Sequence, residues 1–148
     1  MRNAVIGPMQ LIMLLLLCST TASFAKPLTP ARTRLEIQRV LRSRKNIDKT
    51  DVRGQSWLHK AAACGLVDEA HKLLLQGARI NRADVYGNRP LHLAARQGHT
   101  TMVKALLEWG AAFTLTNNNK RTAHQEAIAS GKRKTATVIE IFANAALA

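Results

Sequence analysis

The sequence predicts an all-α solenoid, in which helix–turn–helix units stack in one array and short β-hairpin-like turns join them. Three observations predict it. The chain matches itself at an offset of 33 residues, the length of one small supersecondary unit. Glycines recur at the same offset, at Gly54 and Gly87, Gly65 and Gly98, and Gly77 and Gly110, as turns and helix ends require. Apolar residues make up 47% of the chain but aromatics only 4%. The core must therefore be built from Ala, Leu, Ile and Val, which suits small helices in close contact.

From the N-terminus, Arg2 and the free amine precede an unbroken apolar run over residues 11–17. Small polar residues and Ser23-Phe24-Ala25 follow. This is the layout of a secretory leader, with cleavage expected after Ala25. The run is too short to span a bilayer, which takes about 20 residues, so an uncleaved anchor is the lesser alternative. Lipidation at Cys18 is weaker still, because Leu17 stands where a small residue is required. Cleavage would leave Cys64 as the only thiol and no internal disulfide. The leader is short, and no disulfide pair or Asn-x-Ser/Thr sequon follows it. A bacterial periplasm is therefore the expected compartment, with secretion as the alternative.

The repeat itself is explicit. Residues 51–65, DVRGQSWLHKAAACG, lie over residues 84–98, DVYGNRPLHLAARQG. Residues 73–78, LLLQGA, lie over residues 106–111, LLEWGA. Upstream in the same frame, Val40-Leu41 falls on Leu73-Leu74 and Ile47-Asp48 on Ile80-Asn81. Downstream, Asn117 takes the Asp84 place, Thr122-Ala123 the Arg89-Pro90 place and Gly131 the Gly98 place. There Lys120 replaces the turn glycine, and His124-Gln125-Glu126 replaces Leu-His-Leu. The period of 33 with Pro90-Leu91-His92-Leu93-Ala94 resembles the ankyrin repeat, a turn followed by two antiparallel helices. The resemblance covers residues 34–142. It divides the chain into a leader (1–25), a short linker (26–33), an N-terminal half repeat (34–50), repeats at 51–83 and 84–116, a divergent capping repeat (117–142) and a tail (143–148). Terminal units of such arrays need a polar outer face, which the divergent last unit supplies.

Each motif position has a physical reason. Gly54 and Gly87 adopt backbone angles closed to other residues in the turn. Pro90 suits the first turn of a helix, where its missing N–H is not needed. Leu58, Leu91 and the pairs Ala61-Ala62 and Ala94-Ala95 should line the inner side of the first helices. Leu73, Leu74, Leu106 and Leu107 should carry the second helices into the core. Trp57, at the Pro90 place, should add packing area.

The side chains that could carry chemistry read as structural. His59 and His92 sit at the Leu-His site, where the resemblance implies an imidazole bonded to the neighbouring turn, and His99 belongs to the Gly-His pair. No His/Cys/Asp spacing fits a metal. Cys64 has no His/Asn partner motif and reads as a small residue near a helix end. No phosphate loop, nucleophile elbow or carboxylate pair occurs. Neither an enzyme, a cofactor nor a small-molecule substrate is expected.

The resemblance instead implies binding of a protein partner against a concave face of turn tips and first helices, with inhibition or stabilisation of that partner as the outcome. Carried over position by position, the candidates are Arg53, Gln55, Tyr86, Asn88, Arg96, Gln97 and Arg121. Val52, Ala63, Cys64, Val85, Asn118 and Asn119 stand beside them. Tyr86, Arg53 and Arg96 lead, since Tyr and Arg are enriched among energetic hot spots. Such arrays are often monomeric, and a monomer is expected. The formal charge of +13 keeps a second reading open, a basic binder of anionic surfaces or polyanions. The nearest things to basic clusters are residues 32–49 and Lys132-Arg133-Lys134.

Overall fold

The computed structural model describes residues 29–148. The leader, its expected cleavage point and Cys18 lie outside the described residues. Seven helices follow one another: α1 (Pro30–Ser43), α2 (Trp57–Cys64), α3 (Val67–Leu75), α4 (Pro90–Gln97), α5 (Thr100–Glu108), α6 (Ala123–Ala129) and α7 (Arg133–Leu147). No strand occurs among the described residues. The hairpin-like turns are closed by single pairs of backbone bonds. The architecture is one lone helix followed by three antiparallel helix pairs.

Two expected boundaries need correction. Residues 26–33 were expected to be linker, but α1 begins at Pro30. Proline's fixed φ suits a first helical turn, and the added turn carries Thr33, which is fully buried. Residues 143–148 were expected to be tail, but α7 continues to Leu147 through Ala145 and Ala146, good helix formers.

The first helices α2, α4 and α6 pack side by side, while α5 packs against α7 and α1 closes the N-terminal end against α2 and α3. Alanine makes this spacing workable: Ala61, Ala62, Ala94, Ala95, Ala123 and Ala127 are all fully buried. The larger core side chains come from both members of the first two pairs and from α7 of the third, and include Leu58, Leu73, Leu91, Met102, Leu106 and Ile139. Leu74 is only half-buried, whereas its counterpart Leu107 is buried. The first helices of the two matching repeats end at Gly65 and Gly98, both left-handed, with φ of 69° and 81°. In each case the next repeat lays a side chain over that glycine, the His99 ring over Gly65 and the Lys132 stem over Gly98.

Hydrogen bonds run between repeats at the same offsets. The Asp48 carboxylate accepts from the Arg79 amide at 3.1 Å, and one repeat later the Asn81 side-chain oxygen accepts from the Ala112 amide at 2.9 Å. Turn amides also reach back to the preceding turn. Val85 N–H donates to the Arg53 carbonyl and Asn118 N–H to the Tyr86 carbonyl, each at 3.0 Å. Each repeat thus satisfies backbone groups of its neighbour, and no single unit is closed by itself.

Candidate protein-binding face

Three turns with one geometry build the face. In the first, Asp51 Oδ1 accepts from the amides of Arg53 (2.9 Å) and Gln55 (3.0 Å). In the second, Asp84 Oδ1 accepts from Tyr86 (2.9 Å) and Asn88 (2.8 Å). In the third, Asn117 Oδ1 accepts from Asn119 (3.0 Å) and Arg121 (3.1 Å). A short acceptor side chain that takes two of its own downstream amides is an Asx-type turn. It fixes the backbone and points the intervening side chains away from the core.

Those side chains and one helical residue enclose a cleft of about 240 Å³ lined by Arg53, Gln55, Asp84, Tyr86, Asn88, Arg96 and Asn119. Tyr86 is 58% exposed, and Val52 and Val85 beside it on the turn tips are 98% and 57% exposed. Arg53, Arg96, Lys120 and Arg121 are exposed, and none takes part in the four ion pairs between described residues. The one carboxylate in the cleft is already committed. Asp84 Oδ1 holds the turn, while Oδ2 accepts from Gln55 Nε2 at 3.2 Å. The face therefore offers aromatic and aliphatic surface beside uncompensated cations.

A family model described as ankyrin repeats (3 copies) matches residues 31–117 and again 72–143. The chain belongs to the ankyrin-repeat family. No curated protein matches this ankyrin chain. Ankyrin repeats generally mediate protein–protein interaction, and the face described above consists of turn tips and the exposed side of a first helix.

Of the seven residues carried over from the resemblance, the ankyrin fold brings five into the cleft: Arg53, Gln55, Tyr86, Asn88 and Arg96. Asn88 needs correction as a contact residue. It is buried, its side-chain oxygen accepts from Asn117 Nδ2 at 3.0 Å, and its carbonyl bonds His59 Nε2 at 3.1 Å. It forms the floor of the cleft rather than a reaching side chain. Gln97 and Arg121 are exposed but do not line the cleft. Ala63 and Cys64 turn elsewhere. The Ala63 carbonyl bonds His99 Nε2 at 3.0 Å, and Cys64 Sγ faces Thr33 Oγ1 of α1 at 3.7 Å. The repeat pattern gives no sign that the second oxygen of Asp84 orients Gln55. The Gln and Asp lie in different repeats, and nothing in a 33-residue offset marks that pairing.

The leading histidines bond the neighbouring turn, as the resemblance implies. His59 Nδ1 accepts from the Ser56 amide at 3.2 Å while Nε2 reaches the Asn88 carbonyl. His92 repeats the arrangement with the Arg89 amide and the Arg121 carbonyl, at 3.4 and 3.1 Å. A ring placed so is neutral, with its proton on Nε2. Burial is the main cause that holds both imidazoles below the usual histidine range. Trp57 is half-buried and receives the Lys60 ammonium over its ring at 4.6 Å. Trp109, at the end of α5, stacks on His71 of α3 with centroids 5.1 Å apart. Lys132 caps α7 and packs its stem on Gly98. No group of three or more His, Cys, Asp or Glu that could hold a metal occurs among the described residues. Nor is any helix there long and apolar enough to cross a membrane.

Proposed function

We propose that this ankyrin protein is exported to a bacterial periplasm, or beyond it, and that it binds one protein partner as a monomer through the cleft at Arg53, Tyr86 and Arg96. Binding inhibits or stabilises that partner. The observation that carries the reading is the cleft itself, whose lining brings together an exposed Tyr and two exposed arginines that take part in no ion pair among the described residues. Tyr and Arg dominate interface energetics because they combine apolar area with directed hydrogen bonds. The matching surface on the partner is an apolar contact flanked by carboxylates. The leader's layout supports export.

The test is capture from an envelope extract of the native host by the chain from Lys26 onward, at low and near-physiological salt. The Arg53→Ala/Tyr86→Ala/Arg96→Ala variant runs alongside. One protein retained at both salts and lost with the triple variant is the expected result, followed by a change in its activity or melting temperature when the complex forms. Mixed acidic material that washes off with salt and ignores the substitutions would overturn the reading in favour of diffuse polyanion binding, since purely electrostatic association weakens steeply with salt.

A further inference from the structure

We propose that the outer face of α1 is a second binding site, which docks on the headgroups of an anionic phospholipid bilayer. At 100° per residue, Thr33 and Ile37 face the array and are fully buried. Arg32, Leu35, Arg39 and Arg42 fall on the opposite side and are exposed. Arg44 and Lys45 follow directly, also exposed, with Arg44 ending the helix in a left-handed conformation. From Arg32 to Arg44 the stripe runs about 18 Å along the helix axis.

Four of its five cations, Arg39, Arg42, Arg44 and Lys45, take part in no ion pair among the described residues. Arg32 pairs with Glu36 at 3.3 Å, and Arg34, on the flank, reaches Glu69 at 2.7 Å. All nine acidic residues of the chain lie within the described residues, and none pairs with Arg39, Arg42, Arg44 or Lys45. Clustered cations of this kind are drawn to the potential of an anionic leaflet within a Debye length of it. Guanidinium forks match phosphate oxygens directly.

Leu35 favours a bilayer over a soluble polyanion. It is 61% exposed and sits between Arg32 and Arg39 on the basic stripe. It contributes nothing to a phosphate chain in water, but beside a membrane it enters the boundary between headgroups and acyl chains. Among the described residues the helix packs chiefly against α2 and α3 and supplies no residue to the concave cleft. Docking therefore needs no opening of the core and leaves that cleft free.

The test is co-sedimentation of the full chain with vesicles of phosphatidylglycerol and phosphatidylcholine, against phosphatidylcholine alone, at about 0.15 M salt. All proteins carry the same leader, so the readout is the anionic-over-zwitterionic partition ratio of each variant. Circular dichroism melts confirm that each is folded. The ratio is expected to fall at least about tenfold in Arg39→Glu/Arg42→Glu and about threefold in Leu35→Ser. It should stay within about twofold in the charge-matched Lys104→Glu/Lys134→Glu variant, whose exposed side chains lie outside both the cleft and α1. Equal losses in the two double variants would overturn the site in favour of net charge alone. So would a wild-type chain with no preference for anionic vesicles. Binding to soluble heparin as tight as to vesicles, with Leu35→Ser unchanged in both, would replace the membrane with a polyanion.

Discussion

Lys120 holds a left-handed backbone, φ 56°, at the turn position where Gly54 and Gly87 stand in the earlier repeats. For an L-residue that conformation costs about 1–2 kcal/mol, part of which glycine would return as unfolded-chain entropy. Lys120→Gly should therefore stabilise the domain by roughly 0.5–1 kcal/mol, read as a higher urea midpoint. Gly87 is the opposite case. A Cβ there would lie 2.5 Å from Asn118 Oδ1 and 2.8 Å from the Asn118 amide, which is backbone and cannot step aside. Gly87→Ala should cost about 2–3 kcal/mol by the same measurement, and a neutral result would refute the close approach of the two turns. Both predictions rest on residue types legible in the motif. Asn88 was not legible in this way. Its position in the offset marks it as variable, while its burial comes from Asn117 of the next repeat, a contact between chain segments 29 residues apart.

At the scale of one helix pair, the leading histidine serves two backbones at once. His92 accepts from the Arg89 amide at the start of its own helix and donates to the Arg121 carbonyl of the next turn. In the last repeat Gln125 takes that place. Its side-chain oxygen accepts from the Thr122 amide at 3.0 Å, and the Thr122 hydroxyl accepts from the Gln125 amide at 3.3 Å. The local cap survives, and the remaining side-chain donor, Nε2, is exposed rather than bonded to a following turn. His92→Gln should therefore keep helix α4 yet lose about 1–2 kcal/mol, the cost of an unpaired Arg121 carbonyl. The same two rings set an acid limit. Both are held neutral below the ordinary histidine range by burial, whereas the unfolded chain takes up its protons near pH 6.5. The stability they contribute is complete above that pH and falls as pH drops below it. The urea midpoint should be lower at pH 5.5 than at pH 7.5. A His59→Gln/His92→Gln variant should show a shallower decline, and an unchanged slope would exclude these rings as its source.

Across the whole molecule, the apolar cluster runs unbroken from Ile37 in α1 to Ile139 in α7, and backbone bonds join each repeat to the next. The domain should unfold as one unit rather than repeat by repeat. Trp57 and Trp109 report on successive repeats, so their fluorescence and the far-ultraviolet circular dichroism should give one coincident urea transition. Leu106 is fully buried in the shared core, and Leu106→Ala should shift that transition by about 3 kcal/mol. In an array of only three helix pairs and a capping helix, that is a large share of a typical domain's stability. Two separate transitions would mean that the repeats are less tightly coupled than their shared core implies.

The sequence by itself determined the architecture. The 33-residue offset, the glycines at fixed places and the Leu-His-x-Ala-Ala cores state a repeat whose local geometry follows from each residue's own conformational limits. The boundaries at Pro30 and Leu147, the buried floor at Asn88 and the Asp84–Gln55 pairing were decided only by the tertiary structure. So were the exclusion of Gln97 and Arg121 from the cleft and the mostly unpaired basic stripe on α1. Periodicity reports what one repeat demands of itself. Which polar side chains end up buried, paired or free depends on what the neighbouring repeat places against them.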